Sequence, residues 1–124
     1  MSHTQAVENY LKAIYKLSGQ GSNSVTTNEI AQRMQTRAAT VTDMLKKLHE
    51  RKLIRHEKYM GVMITEKGMQ VALGIIRKHR LWEVFLVNKL GFKWDEVHDM
   101  AEELEHVASV EMIDRLDRFL NLDR

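Results

Sequence analysis

Apolar residues return at intervals of three and four along almost the whole chain, the spacing that lines them up on one side of a helix with 3.6 residues per turn. Only between Leu53 and Thr65 does that rhythm give way to two short runs around Tyr59-Met60-Gly61. The expected fold is therefore mainly α, with one small β-hairpin. Val7, Tyr10, Leu11, Ile14 and Leu17 define a first helix from about Gln5 to Leu17, which stops before the Gly/Ser/Asn loop SGQGSNS. Thr26 and Glu29 have the spacing of a capping box, opening a helix of about eight residues with Ile30, Ala31 and Met34 on its buried side.

After QTRAAT, Val41, Met44, Leu45 and Leu48 form an i, i+3, i+4, i+7 stripe, with Thr36 expected as N-cap and Arg37, Thr40, Asp43, Lys46 and Lys47 on the other face. Two short helices joined by a tight turn make a helix-turn-helix, and a basic, hydroxyl-rich second helix suits a DNA major groove. Leu53 to Lys58 and Val62 to Thr65 read as the strands of a wing, with Gly61 supplying the positive φ of its turn. Lys58 and Tyr59 at the wing tip would lie along the phosphate backbone. On the recognition helix, Lys46 and Lys47 suit phosphate contacts. Arg37, Thr40, Thr42 and Asp43, in its first turns, suit base edges.

Thr65 caps a long helix from about Glu66 to Asn88, rich in Val71, Leu73, Ile75, Ile76, Leu81, Trp82 and Phe85 and carrying the basic run RKHR, which reads as solvated. Gly91 marks its stop, and the stretch WDEVHDMAEELEHV from Trp94 to Val107 is expected to continue as an antiparallel helix. Read as one helix, this stretch places His98, Glu102, Glu105 and His106 at i, i+4, i+7 and i+8, within an arc of about 100°. Val97, Ala101, Leu104 and Ala108 gather on a neighbouring face. His79 and Glu83, at i,i+4 on the preceding helix, can face the same groove, giving six nitrogen and oxygen donors for a divalent metal. Glu102 and His106 alone would also suit an ordinary solvated face. Ser109 then caps a last helix with the stripe Met112, Ile113, Leu116, Phe119 and Leu120, apolar enough to seek a partner subunit.

The 124 residues contain no cysteine, which removes disulfides and thiolate metal sites. No apolar run approaches the roughly 20 residues that cross a bilayer, and MSHTQAVENY lacks the plan of a signal peptide, so a cytoplasmic protein without a membrane partner is expected. The net charge of +2 conceals an asymmetry: residues 33–58 balance to +5 and residues 93–124 to −6. One part suits a polyanion, the other cations.

ENYLKAIYKL, AATVTDMLKKL, MITEKG, RKHRLWEVFL and VHDMAEELEH together resemble the diphtheria toxin repressor family of metal-dependent transcription regulators, which includes the manganese transport regulators. The likeness runs over about residues 6 to 120. It implies a winged helix-turn-helix DNA-binding domain over 1–73 and a helical metal-binding and dimerisation domain over 74–124. The function implied is a repressor that binds Mn(II) or Fe(II), with Zn(II) as an in vitro substitute, and then a palindromic double-stranded operator as a homodimer. Carried over by position, Glu102, Glu105 and His106 match activating-site ligands, and His79, Glu83 and His98 a companion site. Glu102 stands where iron-responsive members have cysteine and manganese-responsive members glutamate. Asn9 takes a position held by methionine or aspartate in the two types, and Lys12 replaces a glutamate that manganese-type members use for a second metal. Many members continue into a linker and a small barrel, whereas this sequence stops at Arg124. Two other classes compete with this reading. A carboxylate-rich crevice can activate water, but a hydrolase would leave the winged helix unexplained and no general base is evident beyond the ligands, so no enzyme is expected. A winged-helix sensor of a small organic ligand would use the His/Glu groove only structurally.

Overall fold

The computed structural model describes residues 3–106 and 109–122. Six helices and one hairpin follow the chain in the order α1 (Gln5–Leu17), α2 (Thr27–Met34), α3 (Ala38–Glu50), β1 (Ile54–Glu57), β2 (Gly61–Ile64), α4 (Glu66–Asn88), α5 (His98–Leu104) and α6 (Val110–Leu122). The chain divides into two compact units, Met1–Leu73 and Gly74–Arg124, with the boundary inside α4.

In the first unit, apolar stripes and caps fix the helices. Thr4 accepts from the amide of Val7 at the start of α1. Thr26 and Glu29 form the expected capping box reciprocally, each bond 3.0 Å long. Those bonds favour the ionised form of Glu29 and hold its carboxyl below the ordinary glutamate value. Helix α3 departs from expectation at its start. The N-cap is Arg37, with no side-chain cap bond, rather than Thr36, whose amide instead bonds to the carbonyl of Ala31 and closes the turn after α2. The turn consumes the residue that propensity alone favours as a cap.

β1 and β2 pair antiparallel from Ile54 opposite Ile64 to Glu57 opposite Gly61, the first strand one residue shorter at each end than expected and the second of the expected length but starting one residue earlier. Gly61 takes φ 78°, and Tyr59 also adopts a left-handed φ of 69°. Val25, in the loop before α2, bonds through both its N–H and C=O to Val62 at 2.8 Å, adding a third rung to the wing. Val7, Leu11 and Ile14 of α1, Ile30 of α2, Val41, Leu45 and Leu48 of α3, Leu53, Ile54, Val62 and Ile64 of the hairpin and Ala72 of α4 form one core. The hairpin is thereby tied to the helix pair by packing, as a wing must be to have a fixed place.

Thr65 caps α4 by accepting from the amide of Gly68. In the second unit, Leu81 and Trp82 of α4 pack with Ala101 of α5 and with Ile113, Leu116 and Leu120 of α6. The rings of Trp82 and Phe85 meet edge to face at 5.8 Å. The α6 stripe divides: Ile113, Leu116 and Leu120 are buried, whereas Met112 and Phe119 remain about half exposed. Ser109 caps this helix as expected, accepting from the amide of Met112. Within RKHR, Arg77 is not merely solvated but reaches Asp114 at 3.3 Å and Asp117 at 3.1 Å on α6. Arg77 and Asp114 are exposed and Asp117 partly so, and this pairing contributes little stability.

Gly68 is buried in the first turn of α4, and a Cβ there would run into the backbone carbonyl of Leu53 and crowd the Ile64 side chain. Alanine is favoured over glycine by about 1 kcal/mol in a helix interior, but overpacking against backbone costs about 1–3 kcal/mol. Gly68→Ala is therefore expected to lower stability, read as a lower urea midpoint at unchanged m-value. An unchanged or raised midpoint would show that α4 and β1 can move apart freely.

Candidate metal centre and DNA-facing helix

All six His/Glu donors singled out in the sequence from residue 79 onward belong to the second unit. His79 and Glu83 stand one turn apart on α4, and His79 Nε2 lies 3.4 Å from Glu83 Oε2. His98 opens α5, and its ring meets that of His79 edge on, with centroids 5.0 Å apart. Donor atoms of His79, Glu83 and His98 all fall within 4.8 Å of one another, the spacing of a single bound cation. A second group, His98, Asp99 and Glu102, is equally tight but lies on the surface. Asp99 escaped the sequence reading, because at i+1 from His98 it lies off the i, i+4 face that the reading followed.

The expected helix over 94–107 is shorter in the structure. Residues 94–97 form turns, with Glu96 accepting from the Lys93 amide at 3.1 Å, and α5 spans only His98–Leu104. Val107 and Ala108 lie outside the described residues. Val97 and Ala101 are buried and Leu104 is partly buried, so the apolar face is in place although the helix is not continuous through it. Glu105, whose amide bonds to the carbonyl of Ala101 at 2.9 Å, follows Val97 and Ala101 at intervals of four and shares their buried face rather than the exposed face of Glu102. Glu102 is half exposed and pairs with His98 at 3.0 Å, whereas the side chains of Glu105 and His106 are 0% and 5% exposed. Glu102, Glu105 and His106 thus form no single tight donor group among the described residues.

Glu105 joins the two histidines of the buried side. Its Oε2 lies 2.8 Å from His79 Nδ1, and its Oε1 lies 3.3 Å from His106 Nε2. A carboxylate accepts, so His79 Nδ1 carries the proton and its Nε2 is the nitrogen left for a metal beside Glu83 and His98. A carboxylate behind a ligating imidazole is the usual support of such a ligand. The donor chemistry fits a divalent first-row ion: imidazole and carboxylate, with no thiolate. Asn9 lies half-buried on α1, in the first unit.

In the first unit, Arg37, Thr40, Asp43, Lys46 and Lys47 are exposed along α3. Thr42 is only partly exposed and donates its hydroxyl proton to the carbonyl of Ala38 at 3.0 Å, leaving it acceptor capacity alone. Arg37 and Thr40 line an open hollow of about 700 Å³ with Ala31, Gln32, Gln35 and Thr36. Gln32 and Gln35 carry hydrogen-bonding amides into this hollow, and only the geometry of the turn, with Gln35 at φ 53°, brings them beside α3. At the wing tip Lys58 Nζ sits 5.2 Å from the ring of Tyr59, which is 92% exposed.

Residues 3–62 match the family profile described as iron dependent repressor, N-terminal DNA binding domain, and residues 65–122 match the profile described as iron dependent repressor, metal binding and dimerisation domain. An uncharacterised HTH-type transcriptional regulator of Methanocaldococcus jannaschii is 35% identical over 94% of both chains. The chain belongs to the iron-dependent repressor family. The resemblance read from the motifs, the mainly helical winged fold and the expectation of no enzyme are thereby borne out. Members of the iron-dependent repressor family are metal-dependent transcription regulators that bind DNA and dimerise. The iron-dependent repressor IdeR of Mycobacterium tuberculosis is 36% identical over 92% of this chain and 49% of its own length. The structure of ScaR with bound Zn2+ aligns with a TM-score of 0.81 at 43% identity, covering 93% of this chain and 53% of that one. The chain therefore spans about half the length of these two relatives. No helix among the described residues is long and apolar enough to cross a membrane.

The donor geometry separates the ligands by the number of groups they serve. His98→Ala should weaken Mn(II) binding, measured by isothermal titration, by at least about tenfold, the low end for losing even an outer partner of a metal ligand. Asp99→Asn should leave the His79/Glu83/His98 affinity unchanged and affect only a second, weaker event. Equal effects of the two substitutions would place the metal on the exposed face of α5.

Proposed function

We propose that this chain is a metal-activated transcriptional repressor that binds Mn(II) or Fe(II) through its second unit and a palindromic operator through its first. The observation that carries the reading is the group His79, Glu83 and His98, whose donors fall within 4.8 Å and whose first member is supported from behind by the fully buried Glu105. Such a group beside a surface patch of scattered charges would need no buried carboxylate to orient it. The metal's role when bound is to lock the histidines and carboxylates of α4 and α5 into one arrangement. Glu102 in place of a thiolate suits a hard cation, and the affinity order of divalent ions allows Zn(II) to bind as well without being the signal.

The half-exposed Met112 and Phe119 of α6, with the dimerisation character of the family, support a homodimer that presents two recognition helices to two half-sites. A repressor of this kind works on chromosomal DNA in the cytoplasm. On α3 we assign phosphate contacts to Lys46 and Lys47, with Lys58 from the wing, and base reading to Arg37, Thr40, Thr42 and Asp43.

Glu102→Ala and His106→Ala should each abolish metal-stimulated operator binding, measured by fluorescence anisotropy with and without Mn(II); circular dichroism should stay that of the parent in Glu102→Ala, whereas His106→Ala, which strips a partner from the buried Glu105, should also lower the melting temperature. Full retention of Mn(II) stimulation in both would sink the assignment of these two side chains, and stimulation by a small organic effector alone would favour the competing sensor class.

The α3 assignments separate in the same assay. Lys47→Ala should weaken binding to all sequences alike and reduce the salt slope by about 1, since one phosphate contact and its counterion are lost. Arg37→Ala or Asp43→Ala should instead alter preference at one symmetric pair of operator positions by about 1–3 kcal/mol per contact. A uniform loss in all three, with base preference intact, would mean that sequence is read through DNA shape.

A further inference from the structure

The charges on the first unit are not confined to α3 and the wing. At the other end of α3, Arg51, Lys52 and Glu50 line a hollow of about 360 Å³ with His3, from the segment before α1, and Lys67, from the first turn of α4. Three cations and one carboxylate thus converge from separate stretches of chain, and no carboxylate pairs with Arg51, Lys52 or Lys67 among the described residues. Like charges at close quarters are unfavourable unless something of opposite sign sits between them.

The backbone that holds them is fixed. The amide of Leu53 bonds to the carbonyl of Leu48 and that of Lys52 to the carbonyl of His49, the pair of bonds that closes a helix around a left-handed residue. That residue is Lys52, at φ 62°, where glycine would sit without strain. The carbonyls of the turn are engaged as well, Lys52 O by the Thr65 hydroxyl at 2.8 Å and Arg51 O by Lys67 Nζ at 3.2 Å. Lys67 keeps two further N–H donors.

His3 completes the set. Arg51 Nη1 lies 3.5 Å from His3 Nδ1, and a guanidinium only donates, so Nδ1 accepts and the imidazole proton sits on Nε2. Partial burial, and then the Arg51 guanidinium and Lys67 against the opposing Glu8, hold the imidazole below its ordinary value. A neutral ring donating Nε2–H, a planar fork of N–H donors and two ammonium groups are the elements that bind a phosphate group.

We infer that His3, Arg51, Lys52 and Lys67 form a phosphate-binding site distinct from the base-reading turns of α3. The phosphate is either that of a small phosphorylated ligand or a backbone phosphate of DNA, and only the second source rests on the DNA-binding reading above.

The test is an NMR titration of the full chain with inorganic phosphate against chloride at equal ionic strength, using the His3 ring as reporter. Saturable shifts at Arg51, Lys52 and Lys67 are expected, with an upward move of the His3 titration midpoint. Both should be lost in Arg51→Ala and reduced in Lys52→Gly, a change that relieves the left-handed strain and so preserves the fold. A parallel titration with a short non-operator duplex identifies the source. Movement of the same signals by the duplex, with a salt slope lower by about 1 in Lys52→Gly, assigns the phosphate to DNA. Saturable binding of free phosphate with those signals untouched by the duplex assigns it to a small ligand, and this arm stands even if the chain binds no DNA with Mn(II) present. Shifts identical in phosphate and chloride, together with no response to the duplex, would overturn the site.

Discussion

A carboxylate fully removed from water must be compensated, and in the second unit that requirement falls on Glu105. Its two oxygens meet His79 from α4 and His106 from beyond α5, so the groups that satisfy its charge are also groups that can hold a metal. The apolar cluster of Leu81, Trp82, Ala101, Ile113, Leu116 and Leu120 gives α4, α5 and α6 their mutual positions. Glu105 gives the ligand side of that arrangement its chemistry. With His79 held at Nδ1, the free nitrogen is aimed at the place where Glu83 and His98 converge, and the imidazole reaches that place without losing rotamer freedom on binding.

The first unit obeys a different economy. There the helix pair and the hairpin share one continuous core, and what is left on the surface is a recognition helix, a wing and a turn lined by amides. Packing decides where α3 points, and its charges contribute little to that decision. The division between the units is therefore one of kind: shape is set by apolar contact in the first, and by apolar contact together with a buried charge network in the second.

Much of this was legible in the sequence, for identifiable reasons. Helices α1, α2 and α4 were placed nearly to the residue because a loop of Gly, Ser and Asn, a capping box and a capping threonine mark their limits chemically. Thr36 has the residue type of a cap, but its amide serves the turn after α2, a demand that only three-dimensional structure reveals. The stretch from Trp94 has the pattern of one helix because DEVHDMAEEL contains no breaker. The turn over 94–97 arises instead from local bonds between Lys93 and Glu96, which carry no periodic signal. The donor types were legible from composition, but their grouping was not. Glu105 turns with Val97 and Ala101 into the buried side, away from Glu102, and Asp99 joins His98 and Glu102 on the exposed one. Gln32 and Gln35 were passed over for the opposite reason: they look like ordinary surface residues until the turn folds them against α3.

The contacts of His79 also decide which of its nitrogens is open to a cation. Its Nε2 faces Glu83 at 3.4 Å, and Glu102 accepts from His98 in the same manner, so each imidazole has a carboxylate beside the nitrogen that a cation would take. Those carboxylates stand beside the imidazoles before any ion arrives, so a cation entering here would meet negative charge already in position, with little of the protein left to rearrange.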